Sequence, residues 1–88
     1  MVNSFNIGEC PICRGRGRLE ILYDFKNNMC CIMCDECCAE WNTPEDALNN
    51  VNGFRKTYKE AEARNATREE IEEAGWAGYV VNWIINDP

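Results

Sequence analysis

Cys10-Pro11-Ile12-Cys13 and Cys34-Asp35-Glu36-Cys37, with twenty residues between them, decide how this chain folds. The pattern is C-x2-C-x20-C-x2-C, the spacing of a four-thiolate zinc ribbon. Each C-x2-C wraps one edge of a metal ion in a tight turn, and the segment between is the right length for a β-hairpin. Four thiolates satisfy a d¹⁰ ion such as Zn²⁺ tetrahedrally and leave no corner for a substrate. The spacing therefore predicts a structural zinc ion held by Cys10, Cys13, Cys34 and Cys37.

Working outward, the hairpin is readable. Leu19, Ile21, Tyr23 and Phe25 alternate with Glu20, Leu22 and Asp24, which is strand period. Lys26-Asn27-Asn28 makes the turn, since Asn tolerates left-handed φ. Met29–Met33 returns as the second strand, and Cys38–Trp41 adds a short third. Gly15 and Gly17 are expected to supply positive φ where the chain leaves the first turn. Beyond Trp41 the signals become helical. Thr43-Pro44-Glu45-Asp46 is a helix start, with a hydroxyl cap, proline first and acids at the positive end of the dipole. Leu48, Val51, Phe54, Tyr58 and Ala61 continue at helical intervals, though Asn49-Asn50-Val51-Asn52-Gly53 marks a break. Thr67 and Glu70 form a capping box for a second helix that Gly75 ends. Trp76, Tyr79, Val80, Trp83 and Ile84 then fit an amphipathic last helix. The expected fold is α+β. Residues 1–88 form a single domain, with a zinc ribbon over 8–41 and a helical segment of two or three short helices over 43–86 packed on it.

Composition limits the function. At 88 residues an apolar core alone gives marginal stability, and a structural metal is a usual remedy. Zinc bound at such sites is worth roughly 10–16 kcal/mol in peptide systems. The start of the chain lacks the basic and apolar stretches of a signal peptide, and no segment approaches the ~20 apolar residues of a membrane span. Seven cysteines suit a reducing compartment, which predicts a cytoplasmic protein. The chain has no histidine, so the commonest general base is missing and catalysis is not expected.

The net charge of −6 is uneven. Asp35, Glu36, Glu40, Glu45 and Asp46 form one acidic block without a base, and Glu69, Glu70, Glu72 and Glu73 form another. Both blocks are candidate surfaces for a basic protein partner. A local basic strip, Arg14, Arg16 and Arg18 with Lys26 beyond, supports an alternative reading as a nucleic-acid-binding ribbon of a transcription or translation factor. The remaining cysteines leave a third reading. Cys31, Cys34 and Cys37 spell C-x2-C-x2-C, three ligands of an iron–sulfur cluster, and the four-thiolate set itself would also hold iron in rubredoxin fashion. Either would make an electron carrier. Otherwise Cys30, Cys31 and Cys38 read as small apolar filler.

Two resemblances are carried by these residues. Cys10–Gly17 matches C-x2-C-x-G-x-G and resembles the repeat of the cysteine-rich domain of J-domain chaperones, over eight residues only; the second cysteine turn lacks the glycines. The stretch Ile32-Met33-Cys34-Asp35-Glu36-Cys37-Cys38-Ala39-Glu40-Trp41, with Thr43–Asp46 and Thr67–Trp76, looks like small bacterial zinc-ribbon proteins. Some of these resemble immunity proteins of contact-dependent or polymorphic toxin systems. The resemblance implies a non-catalytic domain that binds and neutralises a basic toxin, with the four cysteines as its metal ligands.

Overall fold

The computed structural model describes residues 4–14, 16–55 and 62–84. Its centre is the hairpin of β2 (Arg18–Asp24) and β3 (Met29–Cys34), paired without interruption from Leu19↔Cys34 to Asp24↔Met29. The turn is held by Asp24, whose Oδ1 accepts from Lys26 N at 2.8 Å and Asn27 N at 3.2 Å, while Asn28 takes φ 53°. A short polar side chain closes the turn on its own backbone and frees Asn28 to turn left-handed. β4 (Ala39–Trp41) extends the sheet from β3, as expected.

The sheet is larger than the sequence pattern suggests. β1 (Ser4–Glu9) pairs antiparallel with β2 on the side away from β3, with a register shift between Asn6 and Glu9. β5 (Phe54–Arg55), β6 (Ala63–Asn65) and β7 (Asn82–Ile84) complete seven strands in the order β5-β4-β3-β2-β1-β7, with β6 beside the far half of β2. The strands with assigned partners pair antiparallel. The molecule is a small α+β fold.

Two short helices bear on one face of this sheet. α1 (Pro44–Asn49) starts where Thr43 Oγ1 accepts from Asp46 N at 3.1 Å and ends at Asn50, φ 51°. α2 (Arg68–Glu73) carries the expected capping box, with Glu70 N to Thr67 Oγ1 at 3.2 Å and Thr67 N to Glu70 Oε1 at 2.9 Å. Gly75, at φ +80°, turns the chain away after it. Ala47 of α1 and Ile71 of α2 enter one apolar cluster with Phe5, Ile7, Leu19, Ile21, Ile32 and Trp41. Fully burying Ile71 is worth about 1.5–3 kcal/mol, enough to hold a six-residue helix that would not persist alone.

The expected helical segment over 43–86 is therefore corrected in two places. Phe54, assigned to a continuation of the first helix, lies in β5; Tyr58 and Ala61 lie outside the described residues. The last helix does not form: Ala77–Tyr79 make one 3₁₀ turn, and Asn82–Ile84 run as β7 beside β1, with Phe5↔Trp83 in register. Gly75 and Gly78 disfavour helix here, and β1 offers an unpaired edge whose backbone groups need partners. Among the described residues no helix is long and apolar enough to cross a membrane.

Candidate metal centre

The two cysteine turns meet at one end of the β2–β3 hairpin. Cys34 is the last residue of β3, so its position follows from the hairpin register. The first turn is fixed to β2 by Cys10 N donating to Gly17 O at 3.0 Å. The second is fixed to the same strand by Asp35, whose N–H donates to Arg18 O at 3.2 Å and whose Oδ1 accepts from Arg18 N at 2.9 Å. Both turns are thus anchored on neighbouring residues, Gly17 and Arg18, where the chain enters β2.

This brings the Sγ atoms of Cys10, Cys13, Cys34 and Cys37 within 4.8 Å of one another. Two opposite edges measure 3.8 Å (Cys10–Cys37) and 3.6 Å (Cys13–Cys34). Sulfurs at a metal–sulfur distance of about 2.3 Å in a tetrahedron stand about 3.8 Å apart, so the set matches one central ion. All seven cysteines are free thiols. Backbone amides point at the sulfurs: Glu36 N and Cys37 N donate to Cys34 Sγ at 3.3 and 3.4 Å, and Cys13 N to Cys10 Sγ at 3.5 Å. Such bonds favour thiolate over thiol.

The protonation pattern shows what a cation would have to offset. Hydrogen bonding to Cys37, then loss of solvent, pushes Cys13 up to about 12. Burial pushes Cys34 up as well, despite its two backbone donors. Burial acts upward on Cys37 too, but the Ala39 amide and the other three thiols outweigh it and bring it to about 7. A cation among the sulfurs would oppose the upward shifts of Cys13 and Cys34 by favouring their thiolates.

Glycine matters here for a different reason than expected. Gly17 does not take positive φ; the left-handed residues are Arg14 (φ 53°) and Cys38 (φ 61°), each immediately after the second cysteine of its turn. Gly15 lies outside the described residues. Gly17 is required because a Cβ there would run into Cys34 Sγ and stand 2.9 Å from Asp35 Oδ1. Nothing in simple spacing signals that contact.

The other cysteines lie apart from the cluster. In β3, Cys31 faces the opposite side of the sheet from Cys34, so C-x2-C-x2-C does not assemble as a ligand set. Cys30 is buried on the helix-covered face and Cys38 is exposed.

The acidic residues scatter. Asp35 and Glu36 are exposed on the second turn, with Asp35 engaged by Arg18. Glu40 is only 2% exposed and is removed from any surface patch, which corrects its place among the partner-binding candidates: as part of β4 it sits beside Met33, between β3 and β5. Glu45 is exposed and Asp46 half-buried at the start of α1. On α2, Glu69 and Glu73 are exposed, Glu72 pairs with Arg68 at 3.3 Å, and Glu70 takes both arms of Arg64 at 2.7 Å. Of the basic strip, Arg14 and Arg16 are exposed and Arg18 pairs with Glu9 at 3.3 Å.

Arg64 was not legible as a key residue. Its guanidinium lies 5.3 Å from the Tyr23 ring centre and 5.1 Å from that of Phe25, joining β2, β6 and α2 at one point. The chain matches no protein-family model, no curated protein and no solved structure.

Proposed function

We propose that the four cysteines hold a single structural zinc ion, making the cysteine turns and hairpin a zinc ribbon, and that the chain is a non-catalytic protein-interaction domain. The observation that supports this is the cluster of four cysteine sulfurs, all within 4.8 Å of one another, which would surround an ion with four like ligands. Every corner is a cysteine, so a bound ion has no vacant position with which to activate water or polarise a substrate. The sequence contains no histidine to act in its place. The separation of Cys31 from the set speaks against a C-x2-C-x2-C iron–sulfur cluster, and of the two ions that suit four thiolates we take zinc, the usual ion of structural ribbons. Reduced thiols suit the cytoplasm.

Elemental analysis of protein purified without added metal, with a visible spectrum, tests the first half. One zinc per chain and a colourless solution support the reading. Iron with visible absorbance overturns it in favour of an electron carrier.

The partner class follows from charge: −6 overall, with exposed acids on the second cysteine turn, α1 and α2. The best reading is an immunity protein covering the basic active site of a cognate toxin, as the resemblance implies. Co-expression with the toxic product of a neighbouring gene is the test. Rescue of growth supports it, and unchanged toxicity with the zinc protein present overturns it.

A further inference from the structure

We infer that the cleft between the β2–β3 hairpin and α2 seats one lysine or arginine side chain of a protein partner. The inference rests on the reading above of a domain that meets a basic protein, and names where that contact is made. The cleft has a volume of about 360 Å³, at the small end of ligand-sized sites, and is lined by Tyr23, Met29, Cys30, Glu70, Glu73 and Trp76 among others, with no lysine or arginine among its described lining residues.

Its charge is asymmetric. Glu70 is already committed to both arms of Arg64, whereas Glu73 is exposed and has no ion-pair partner among the described residues. The potential at the floor is negative: after burial, Glu70 and Glu73 raise the Cys30 thiol, to about 11, against the opposing pull of Arg64.

Its walls are suited to a long amphipathic chain. Tyr23 and Trp76 are half-buried and pack on the core, so they stand in place before anything binds. Arg64 already lies over the Tyr23 ring, so the stem of a basic side chain lies against Trp76 and its head reaches the Glu73 carboxylate. An anion would meet Glu73, and an apolar group would strip it of water without replacing the hydrogen bonds. The rim argues for a protein rather than a small amine. Phe25 and Met29, at the hairpin tip, are 41% and 46% exposed, and offer apolar surface to residues flanking the inserted one.

The test is a titration of ¹⁵N-labelled, zinc-loaded protein with a capped peptide carrying one central lysine between apolar residues, at millimolar concentration. Expected are amide shifts at Tyr23, Met29, Cys30 and Glu73–Trp76, weakened about three- to fivefold by Glu73→Gln and unchanged by Glu69→Gln on the same helix. Both substitutions are at exposed positions, and a thermal melt checks that each variant folds. Shifts centred on Asp35–Glu36 or Glu45–Asp46, or equal effects of the two variants, overturn the cleft and leave the basic-partner reading standing. No shift anywhere also overturns the cleft. The toxin-protection assay decides the wider reading independently.

Discussion

Adding one methyl group at Gly17 is the sharpest test of how the metal centre is built. An alanine Cβ there would penetrate Cys34 Sγ and come within 2.9 Å of Asp35 Oδ1 and 3.0 Å of Glu36 Cβ. Neither side yields readily. Gly17 is held through its carbonyl by Cys10 N at 3.0 Å, and the next residue, Arg18, is locked to Asp35 by two hydrogen bonds. On the other side, the sulfur belongs to the four-cysteine cluster and, with an ion bound there, would be held at a fixed bond length. Overpacking of this kind costs about 1–3 kcal/mol, offset by about 0.4–1 kcal/mol from the lower freedom of alanine in the unfolded chain. Because folding and metal binding are coupled, the net loss of up to about 2 kcal/mol reads as metal affinity, up to roughly 30-fold. Competition against a chromophoric zinc chelator measures it. Gly78→Ala is the matched control, since a Cβ there meets nothing within 4 Å. If Gly17→Ala binds zinc as tightly as the parent, the close packing of β2 against the liganding sulfur is not what shapes the site.

Removing the metal with a strong chelator is expected to unfold the chain, because the ion contributes roughly 10–16 kcal/mol where small domains hold only about 5–15 in total; a far-UV spectrum unchanged by chelation would show that the sheet stands without it. Cys38→Gly is expected to leave metal stoichiometry intact and raise stability by up to about 1 kcal/mol, since it relieves a left-handed backbone at a residue outside the sulfur cluster. Less bound metal in that variant would instead make Cys38 a ligand. Glu70→Gln carries a pH signature. The bidentate bond to Arg64, ahead of the burial that opposes it, holds the Glu70 carboxyl below its ordinary value. A depressed carboxyl stabilises fully above its unfolded value and progressively less as pH falls through its folded one. The gap between parent and variant, about 0.2–1 kcal/mol for a partly exposed pair, should therefore be present at pH 7 and close below pH ~4 in chemical denaturation.

Much of the site was legible because its signals are local. Cysteine spacing names the four residues whose sulfurs cluster, and the alternation over Leu19–Tyr23 with the Asn-rich turn sets the register that carries Cys34 to the others. The two helix starts were equally plain, since Thr43 and Thr67 each bond an amide only three residues away. What could not be read is the set of strands defined by distant partners. β5 and β6 are two and three residues long and exist only because β4 and β2 lie beside them. β7 is disguised further: Trp76, Tyr79 and Val80 keep helical intervals because a 3₁₀ turn and its flanks put them against the same core, so the period was real and the element was not. Burial likewise overrode charge at Glu40, whose acidic neighbours suggested a surface. Arg64 gave no signal, since the rings of Tyr23 and Phe25 reach it from a distant part of the chain to meet Glu70.

The placement of β1 between β2 and β7 has a consequence for how a ribosome delivers this protein. All four thiols have been synthesised once Cys37 is made, and β1, β2 and β3 are then also present. An ion captured at that stage clamps the hairpin to its neighbour while residues 62–84 are still to come. The outer side of β1 stays bare until Asn82–Ile84 emerge to pair with Asn6, Phe5 and Ser4. With the proposed ion in place, the nascent chain would during that interval present a clasped sheet with an open margin, so scarcity of metal and stalling late in translation would harm it in opposite ways. The first would leave the two cysteine turns unclasped; the second would leave a folded sheet with an adhesive border.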